Sequence, residues 1–444
     1  MPGTVTCFRT TDMSSPGEVL LLARQRLRPR SSDHVQALLD MGLRIHLVTS
    51  AREVTPADPR FASQTIVPDG LGHDEMVSLV AATARQHGTF VITFTELDIV
   101  IAGEANERLG VAWARPEADR IGRDKRRQRE FLRANGIPSV WHYPVADSAA
   151  AIAAAREHGF PLIVKPTRAA SSIGVQLVMN EASLTAALAN IQALATARVS
   201  GFKDDVSGAY ALLEEYIPGR EVTLDGVVIN GEFILGGIHD KLLSEGPFFE
   251  EDLYTLPFSS PDREHELADI VTGIVKGLDL DLALFNAELR EDSRGGFRVV
   301  EYSPRISGGH VYRNIRDVYG IDLVQMFMRA ACGGDVRRIL EAGAARLEPR
   351  MATCAKLLYA DGIIERNSVG DAIFSPNFRA YYPMARPGQL VARAPRGFDI
   401  LGALSVWLPW QPDQAPEAAH DVGNQVAAQL DVRVRPRAED RWES

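Results

Sequence analysis

The stretch Leu284–His310, LFNAELREDSRGGFRVVEYSPRISGGH, constrains this chain more than any other. Ala283–Arg290 reads as a strand, Asp292–Gly296 as a tight turn and Phe297–Tyr302 as a second strand. A Gly- and Pro-punctuated loop then leads towards a helix. Side chains alternate faces along a strand, so Asn286, Glu288 and Arg290 share one face of the first, and Glu301 and Ser303 share one face of the second. Closing the hairpin through the Gly-rich turn sets Glu288 beside Glu301. Adjacent carboxylates repel, and their pairing costs stability unless a cation lies between them. A hard cation such as Mg²⁺, shared with a polyphosphate, is the usual partner. Arg305 follows as a fixed bidentate donor, and Gly308 and Gly309 can offer backbone N–H groups to an anion. Taken alone, the segment also reads as a surface hairpin with solvated charges, so the rest of the chain decides.

At 444 residues the chain has room for two to four domains with ample core. A formal net charge of −10, with no basic tract interleaved with aromatics, argues against non-specific nucleic-acid binding. Cys7, Cys332 and Cys354 are too far apart for a disulfide framework or a CxxC metal site, and they suit a reducing cytosol. A cytoplasmic location is expected. The early apolar run Val19–Ala23 is too short for a signal-peptide core or a membrane span. Six of the 48 basic residues are lysine: Lys125, Lys165, Lys203, Lys241, Lys276 and Lys356. In so arginine-rich a chain, a lysine can mark a place that needs a compact point charge.

In order, residues 1–115 alternate strands (Glu18–Ala23, Leu43–Thr49, Thr89–Thr93) with helices (His34–Met41, Asp74–Gln86, Leu97–Leu109), which predicts a parallel sheet. No GxGxxG follows the first strand, so a dinucleotide site is not supported. Glu96 sits at the C-terminal end of a strand, where such sheets bind ligands. A single basic helix is expected over Arg120–Asn135, stopped by Gly136 and Pro138. Asp147 or Ser148 can cap an alanine-rich helix. FPLIVKP (Phe160–Pro166) is then a buried strand that delivers Lys165 at its end. The small residues from Ala169 to Gly174 form a loop suited to phosphate, or an ordinary hairpin turn; Asn180 can cap a helix over Glu181–Val199.

Further on, Ala211–Tyr216, Glu221–Ile229 and Glu232–His239 read as strands, the last two joined by an Asn230-Gly231 turn. In LLEEYIPGREVTLDG, the Ile-Pro-Gly bend can offer backbone groups to a purine edge and a nearby carboxylate can accept from ribose hydroxyls. Surface acidic residues are the plainer reading. Leu242–Pro261 reads as a long loop whose acids, Glu250 and Glu251, would favour a cationic amino group. After a helix and linker over 335–350, strands at Ala352–Tyr359, Phe378–Pro383 and Gly402–Leu408, a helix at Glu417–Leu430 and a strand at Asp431–Val434 make a strand-rich α+β region.

Asp124-Lys125, FPLIVKP, the SSIGV loop, LLEEYIPGREVTLDG and NAELRED…VVEYSPRISGG, in that order, resemble the ATP-grasp superfamily over about residues 115–330. The whole layout resembles the L-amino acid ligases of the dipeptide synthetase type. The fold this implies is an N-terminal α/β domain (1–115), an ATP-grasp region of two subdomains (roughly 116–205 and 206–335) holding nucleotide between them, and a C-terminal α+β domain (336–444). The resemblance implies that Lys125, Lys165 and Lys241 contact the phosphates of ATP, and that Ser171, Ser172 and Gly174 lie in the loop that closes over them. It implies that Glu214 meets the adenine amino group, that Glu215, Tyr216 and Ile217 supply backbone contacts, and that Glu221 holds the ribose. Glu288, Glu301 and Ser303 would ligate Mg²⁺ or Mn²⁺, and Arg305 with Gly308 and Gly309 would bind the substrate carboxylate and the developing anion. Ser303 stands where the family pattern has Asn; its hydroxyl is a shorter, neutral oxygen ligand that can still coordinate Mg²⁺, directly or through water, with weaker binding of the second metal expected.

The implied activity is ATP-dependent joining of a carboxylate to an amine, both small molecules and most simply amino acids, through an acyl phosphate, with a homodimer as the common assembly. A bicarbonate-activating carboxylase is the rival within the superfamily. A non-catalytic ATP-binding regulator is the rival outside it, and would bind nucleotide without amine-dependent ADP formation.

Overall fold

The computed structural model describes residues 17–24, 33–51, 58–169, 172–196, 208–243, 246–308, 311–344, 346–411 and 417–436. Cys7, Ser171, Gly309 and Arg441–Ser444 lie outside the described residues.

The N-terminal region is a parallel sheet in the order β3-β2-β1-β4, from β1 (Glu18–Leu22), β2 (Arg44–Ser50), β3 (Phe61–Val67) and β4 (Val91–Ile92). Both faces are covered, as parallel sheets require. Val19 and Leu21 pack with α1 (Asp33–Asp40), while Leu20 and Leu22 pack against α2 (His73–Gln86) and α3 (Ile99–Leu109). The edge strand β3 was not expected, because FASQTIV carries too weak an apolar pattern to announce itself.

The expected basic helix is two helices, α4 (Pro116–Arg123) and α5 (Lys125–Ala134). Asp124 breaks the run with an extended backbone (φ −117°, ψ 108°) and accepts from the amides of Arg126 and Arg127, an N-cap in mid-sequence.

A four-stranded antiparallel sheet follows in the order β5-β8-β6-β7: β5 (His142–Val145), β6 (Leu162–Pro166), β7 (Gln176–Val178) and β8 (Ala211–Glu215). Leu162, Val164, Ala211 and Leu213 face α6 (Ser148–His158) and α7 (Glu181–Thr196). By alternation Ile163, Lys165 and Glu214 face the other way.

The largest sheet has eight antiparallel strands, ordered β13-β12-β9-β10-β11-β14-β18-β16. They are β9 (Glu221–Ile229), β10 (Glu232–Leu243), β11 (Glu251–Leu256), β12 (Leu282–Glu291), β13 (Phe297–Ser303), β14 (Met351–Leu358), β16 (Phe378–Pro383) and β18 (Gly402–Pro409). Three C-terminal strands therefore extend the sheet that carries the hairpin. A separate small sheet joins β15 (Gly362–Ser368), β17 (Leu390–Val391) and β19 (Asp431–Arg435). Strand β11 lies inside what read as a long loop; it pairs with β10 on one side and β14 on the other.

One face of β9 and β12 buries Val222, Leu224, Phe285 and Leu289 against α8 (Glu264–Gly277). Over the other face lie α9 (Val311–Tyr319) and α10 (Leu323–Ala331), with α11 (Val336–Ala344) beside α10 and α12 (Glu417–Ala427) covering β14 and β18. Among the described residues no helix is long and apolar enough to cross a membrane.

Candidate active site

The hairpin sets Glu288 opposite Glu301 and Asn286 opposite Ser303, the pairing that alternation and the Gly-rich turn predict. Continuing across the sheet, Glu288 aligns with Thr223 and His239, and Arg290 with Glu221 and Lys241. One face of the sheet thus carries two adjacent polar rows. Glu288, Arg290 and Glu221 of these rows floor a cleft roofed by the Ile163–Lys165–Glu214 face of the smaller sheet.

Three lysines gather at this cleft, Lys125 and Lys165 in its lining and Lys241 just outside it, each against a carboxylate. The break at Asp124 places Lys125 at the first position of α5, where its amide donates to Thr167 O at 2.9 Å. Its Nζ reaches Glu301 at 2.7 Å. Lys165, delivered by β6, lies 2.6 Å from Glu214 and donates to Val300 O at 3.2 Å. Lys241 lies 2.5 Å from Glu221 and 3.2 Å from Glu288. Burial would raise the Glu301 and Glu214 carboxyls, but the nearby cations outweigh it and hold both below the usual range. Burial pushes the Lys165 ammonium down to about 8, against the pull of Glu214. Arg129, wholly buried, contacts Glu214 at 2.7 Å, so this carboxylate sits between two cations. Arg129 was hidden in the sequence among the arginines of one basic run.

Of the residues singled out from the sequence, Lys125, Lys165, Ser172, Glu214, Glu215, Tyr216, Ile217, Glu221, Glu288 and Glu301 line this one cleft. Sequence reasoning missed Val140, Ile163, Val175, Arg290 and Val300, which give the cleft apolar walls and one further cation, while Phe249, one of the aromatics of the stretch after Lys241 that could line or cover a pocket, does line it. Ile163 and Arg290 were within reach, since each lies two residues from a singled-out residue on the same strand face. The Glu215 amide is already engaged by Trp141 O at 3.1 Å, and its carboxylate accepts from the Trp141 amide at 2.9 Å. Backbone donors at this bend must therefore come from residues beyond Glu215. Ser172 adopts φ 53°, and Gly174 has φ 78° with Pro166 only 2.9 Å from where a Cβ would stand, so the turn admits no side chain there.

Ser303, Arg305 and Gly308 lie beside the cleft rather than in its lining. The Ser303 hydroxyl donates to Glu96 at 3.0 Å, and Arg305 Nε contacts the same carboxylate oxygen at 2.5 Å. The N-terminal region thus closes this end of the site through Glu96. Burial would lower the Arg305 guanidinium, but Glu96 outweighs it and raises it. Loop residue Ser307 donates its amide and its hydroxyl to Asp225, each at 2.8 Å, and Asn286 donates to Ser307 Oγ at 2.8 Å. Burial raises the Asp225 carboxyl to about 6 against those two hydrogen bonds. A Cβ at Gly308 would meet nothing within 4 Å. His239 is fully buried beside Thr223, outside the cleft lining, and pushed down to about 3 by burial, hence neutral; neither ring nitrogen has a hydrogen-bond partner among the described residues.

The expectation that the acids after Lys241 favour a cationic amino group is corrected for Glu250. Both of its oxygens are taken by Arg393 and by the amide of Ala394, so its charge is already neutralised. Glu250 and Arg393 are 143 residues apart, and no local pattern links them.

The donor set suits Mg²⁺. Two cross-strand carboxylates with a cleft beside them are what this ion takes when phosphate oxygens and water complete its shell. Among the described residues no group of three or more His, Cys, Asp and Glu side chains is arranged to hold a metal. A nucleotide would have to supply the remaining ligands.

Residues 158–313 match the family model of the ATP-grasp domain. The chain is 27% identical over 273 residues to the alanine–anticapsin ligase of Bacillus amyloliquefaciens, covering 59% of this chain and 58% of that one. It is 28% identical over 319 residues to carnosine synthase 1 of Gallus gallus, covering 67% of this chain and 33% of that one. The chain thus spans less than two thirds of the length of these relatives. Its fold is similar to that of an L-amino acid ligase from Bacillus licheniformis, with a TM-score of 0.78 at 19% identity over 94% of this chain and 99% of that one.

Proposed function

We propose, from the premise that this chain is an ATP-grasp protein built like the L-amino acid ligases, that it joins a carboxylate to an amine at the expense of ATP. Both substrates are proposed to be small molecules, most simply amino acids, and the products to be an amide, ADP and phosphate. The observation that carries the reading is the Glu288–Glu301 pair with three lysines around one cleft.

In this reading Lys125, Lys165 and Lys241 exchange their carboxylate partners for phosphate oxygens, which frees Glu288 and Glu301 to hold Mg²⁺. The metal, when bound, neutralises charge on the transferring phosphoryl group. Ile163, Val140 and Val300 give a purine ring apolar walls. Glu214 stays paired with Arg129 and accepts from the purine edge, while Glu221 accepts from the ribose. Ser172 and Gly174, with Ser171, cover the phosphates.

The carboxylate of the first substrate attacks the γ-phosphorus, forming a C–O–P linkage as the bond to ADP breaks. The amine then attacks the acyl carbon, the C–N bond forms, and phosphate leaves. Arg305 holds the substrate carboxylate and, with the Gly308 and Gly309 amides, stabilises the tetrahedral oxyanion. Glu96 orients Arg305, and Asp225 fixes the loop through Ser307. Ser303 serves as a weaker metal ligand than the family's Asn, since its hydroxyl also donates to Glu96.

The test is phosphate release from Mg²⁺-ATP against amino acids singly and in pairs. Release that needs two amino acids supports the ligase. Release with bicarbonate as the only carboxyl substrate would favour the carboxylase instead. Nucleotide binding with no release under any pairing would favour a non-catalytic regulator.

The Lys165 ammonium gives the reaction a pH signature. Only its protonated form neutralises phosphate, so kcat/KM for ATP is expected to be level near pH 7. It should fall above about pH 8, approaching roughly tenfold per unit. A profile level up to pH 9.5 would remove Lys165 from the phosphate site.

A further inference from the structure

Residues 246–250 cross from the smaller sheet to the C-terminal region along one wall of the cleft, and they are fastened at both ends. At one end Pro247 O accepts from the Leu177 amide at 2.8 Å, and Phe248 bridges to Gln176, so the segment rides on β7. At the other end Glu250, 7% exposed, accepts from Arg393 Nε at 3.0 Å and Nη2 at 2.5 Å, and from the Ala394 amide at 3.0 Å. The Arg393 backbone is itself fixed, its amide donating to Asp361 at 3.0 Å. Between the two fastenings stands Phe249, which lines the cleft under the Arg290 guanidinium at 5.5 Å. Arg290 in turn reaches Glu221 at 3.2 Å.

A ring in a short crossing segment keeps its place only if the backbone on either side does. Glu250 is adjacent to Phe249, and its three hydrogen bonds, two of them to a guanidinium, restrain that side just before the chain enters β11. The cation above the ring adds a modest attraction and does not fix the backbone.

We propose that Arg393 is a positioning residue for the nucleotide: by gripping Glu250 it holds Phe249 as a wall of the ATP cleft. The C-terminal region is thereby a determinant of nucleotide affinity although none of its described residues lines the cleft. The proposal rests on the reading of this cleft as the ATP site.

The test is calorimetric titration of the full chain with Mg²⁺-ADP. Arg393→Met is expected to weaken binding about tenfold, and Arg393→Lys, which keeps one charged hydrogen bond to Glu250, to stay within about threefold of wild type. Phe249→Ala should weaken binding about as much as Arg393→Met. The double variant should be no weaker than the worse single one, because both act through the same wall. Wild-type affinity in Arg393→Met, failure of Arg393→Lys to recover it, or losses that multiply in the double variant would each overturn the proposal. Arg393→Met leaves Glu250 without its cation, so the unfolding midpoint of each variant is measured beside the titration. If Arg393→Met does not fold, Glu250→Gln takes its place with the same expectation. A wild type that does not bind Mg²⁺-ADP would overturn the functional reading, and this proposal with it, before any substitution is made.

Discussion

Glu301→Gln is expected to lower amino-acid-dependent phosphate release by about 10³-fold, roughly 4 kcal/mol of transition-state stabilisation. Glutamine keeps the length of the side chain and an oxygen to accept from Lys125, now 2.7 Å away, so the fold and the lysine's contact are preserved. The negative charge is lost, and with it half of the carboxylate pair that would hold the metal against the γ-phosphate. Glu301→Ala would be a poorer test, since it leaves a buried ammonium without its partner and confounds activity with stability. The measurement is phosphate release under saturating amino acids, alongside Mg²⁺-ADP binding. Activity above a tenth of wild type would take Glu301 out of the metal site. Intact binding with activity lost would place its role in the chemical step.

Arg129→Met is expected to destabilise the protein by about 3–5 kcal/mol, the cost of breaking a buried ion pair by removing one partner. Arg129 has no exposed side-chain surface, and Glu214 has 4%. Lys165 stays beside Glu214 at 2.6 Å, so the carboxylate is not wholly uncompensated and the lower end of the range applies. The arginine also reaches Val300 O on β13, so one side chain on α5 ties the smaller sheet to the central one across the cleft. Glu214 is held below its ordinary value, so its contribution to stability is present above the unfolded pKa and is lost as pH falls through the folded one. The deficit of the variant should therefore be largest at neutral pH and shrink below about pH 4. Urea midpoints at pH 7 and about pH 3 check this, and equal midpoints for variant and wild type at pH 7 would refute it.

Much of the site is legible in the sequence because it is written in short-range patterns. The strand β12, the Gly-rich turn and β13 are contiguous, so alternation and turn closure alone set Glu288 opposite Glu301. Lys165 follows a short apolar strand and faces the cleft with Ile163 because side chains two apart share a face. Asn230 and Gly231, with φ 52° and 76°, make the turn that their dipeptide announces. The order of these segments carries the resemblance to ATP-grasp ligases.

Other features were decided elsewhere in the chain. Gly122 and Asp124 are weak local signs of a break inside so basic a run; the hydrogen bond from Lys125 to Thr167 O and the Asp124 cap make the break, and they put Lys125 in the cleft. Strand β11 is charged and aromatic enough to pass for loop, and pairing with β14, about a hundred positions later, gives it a place in the sheet. The partners of Glu96, Glu214 and Glu250 are Arg305, Arg129 and Arg393, each far away in sequence. Periodicity, turns and caps act over two to four residues, so the sequence by itself determined the hairpin, the carboxylate pair and the strands with a clear apolar pattern, but not β3 or β11. A charge acts on whatever folding brings within a few ångströms, so only the tertiary structure decided which acids are neutralised and which remain to meet a ligand.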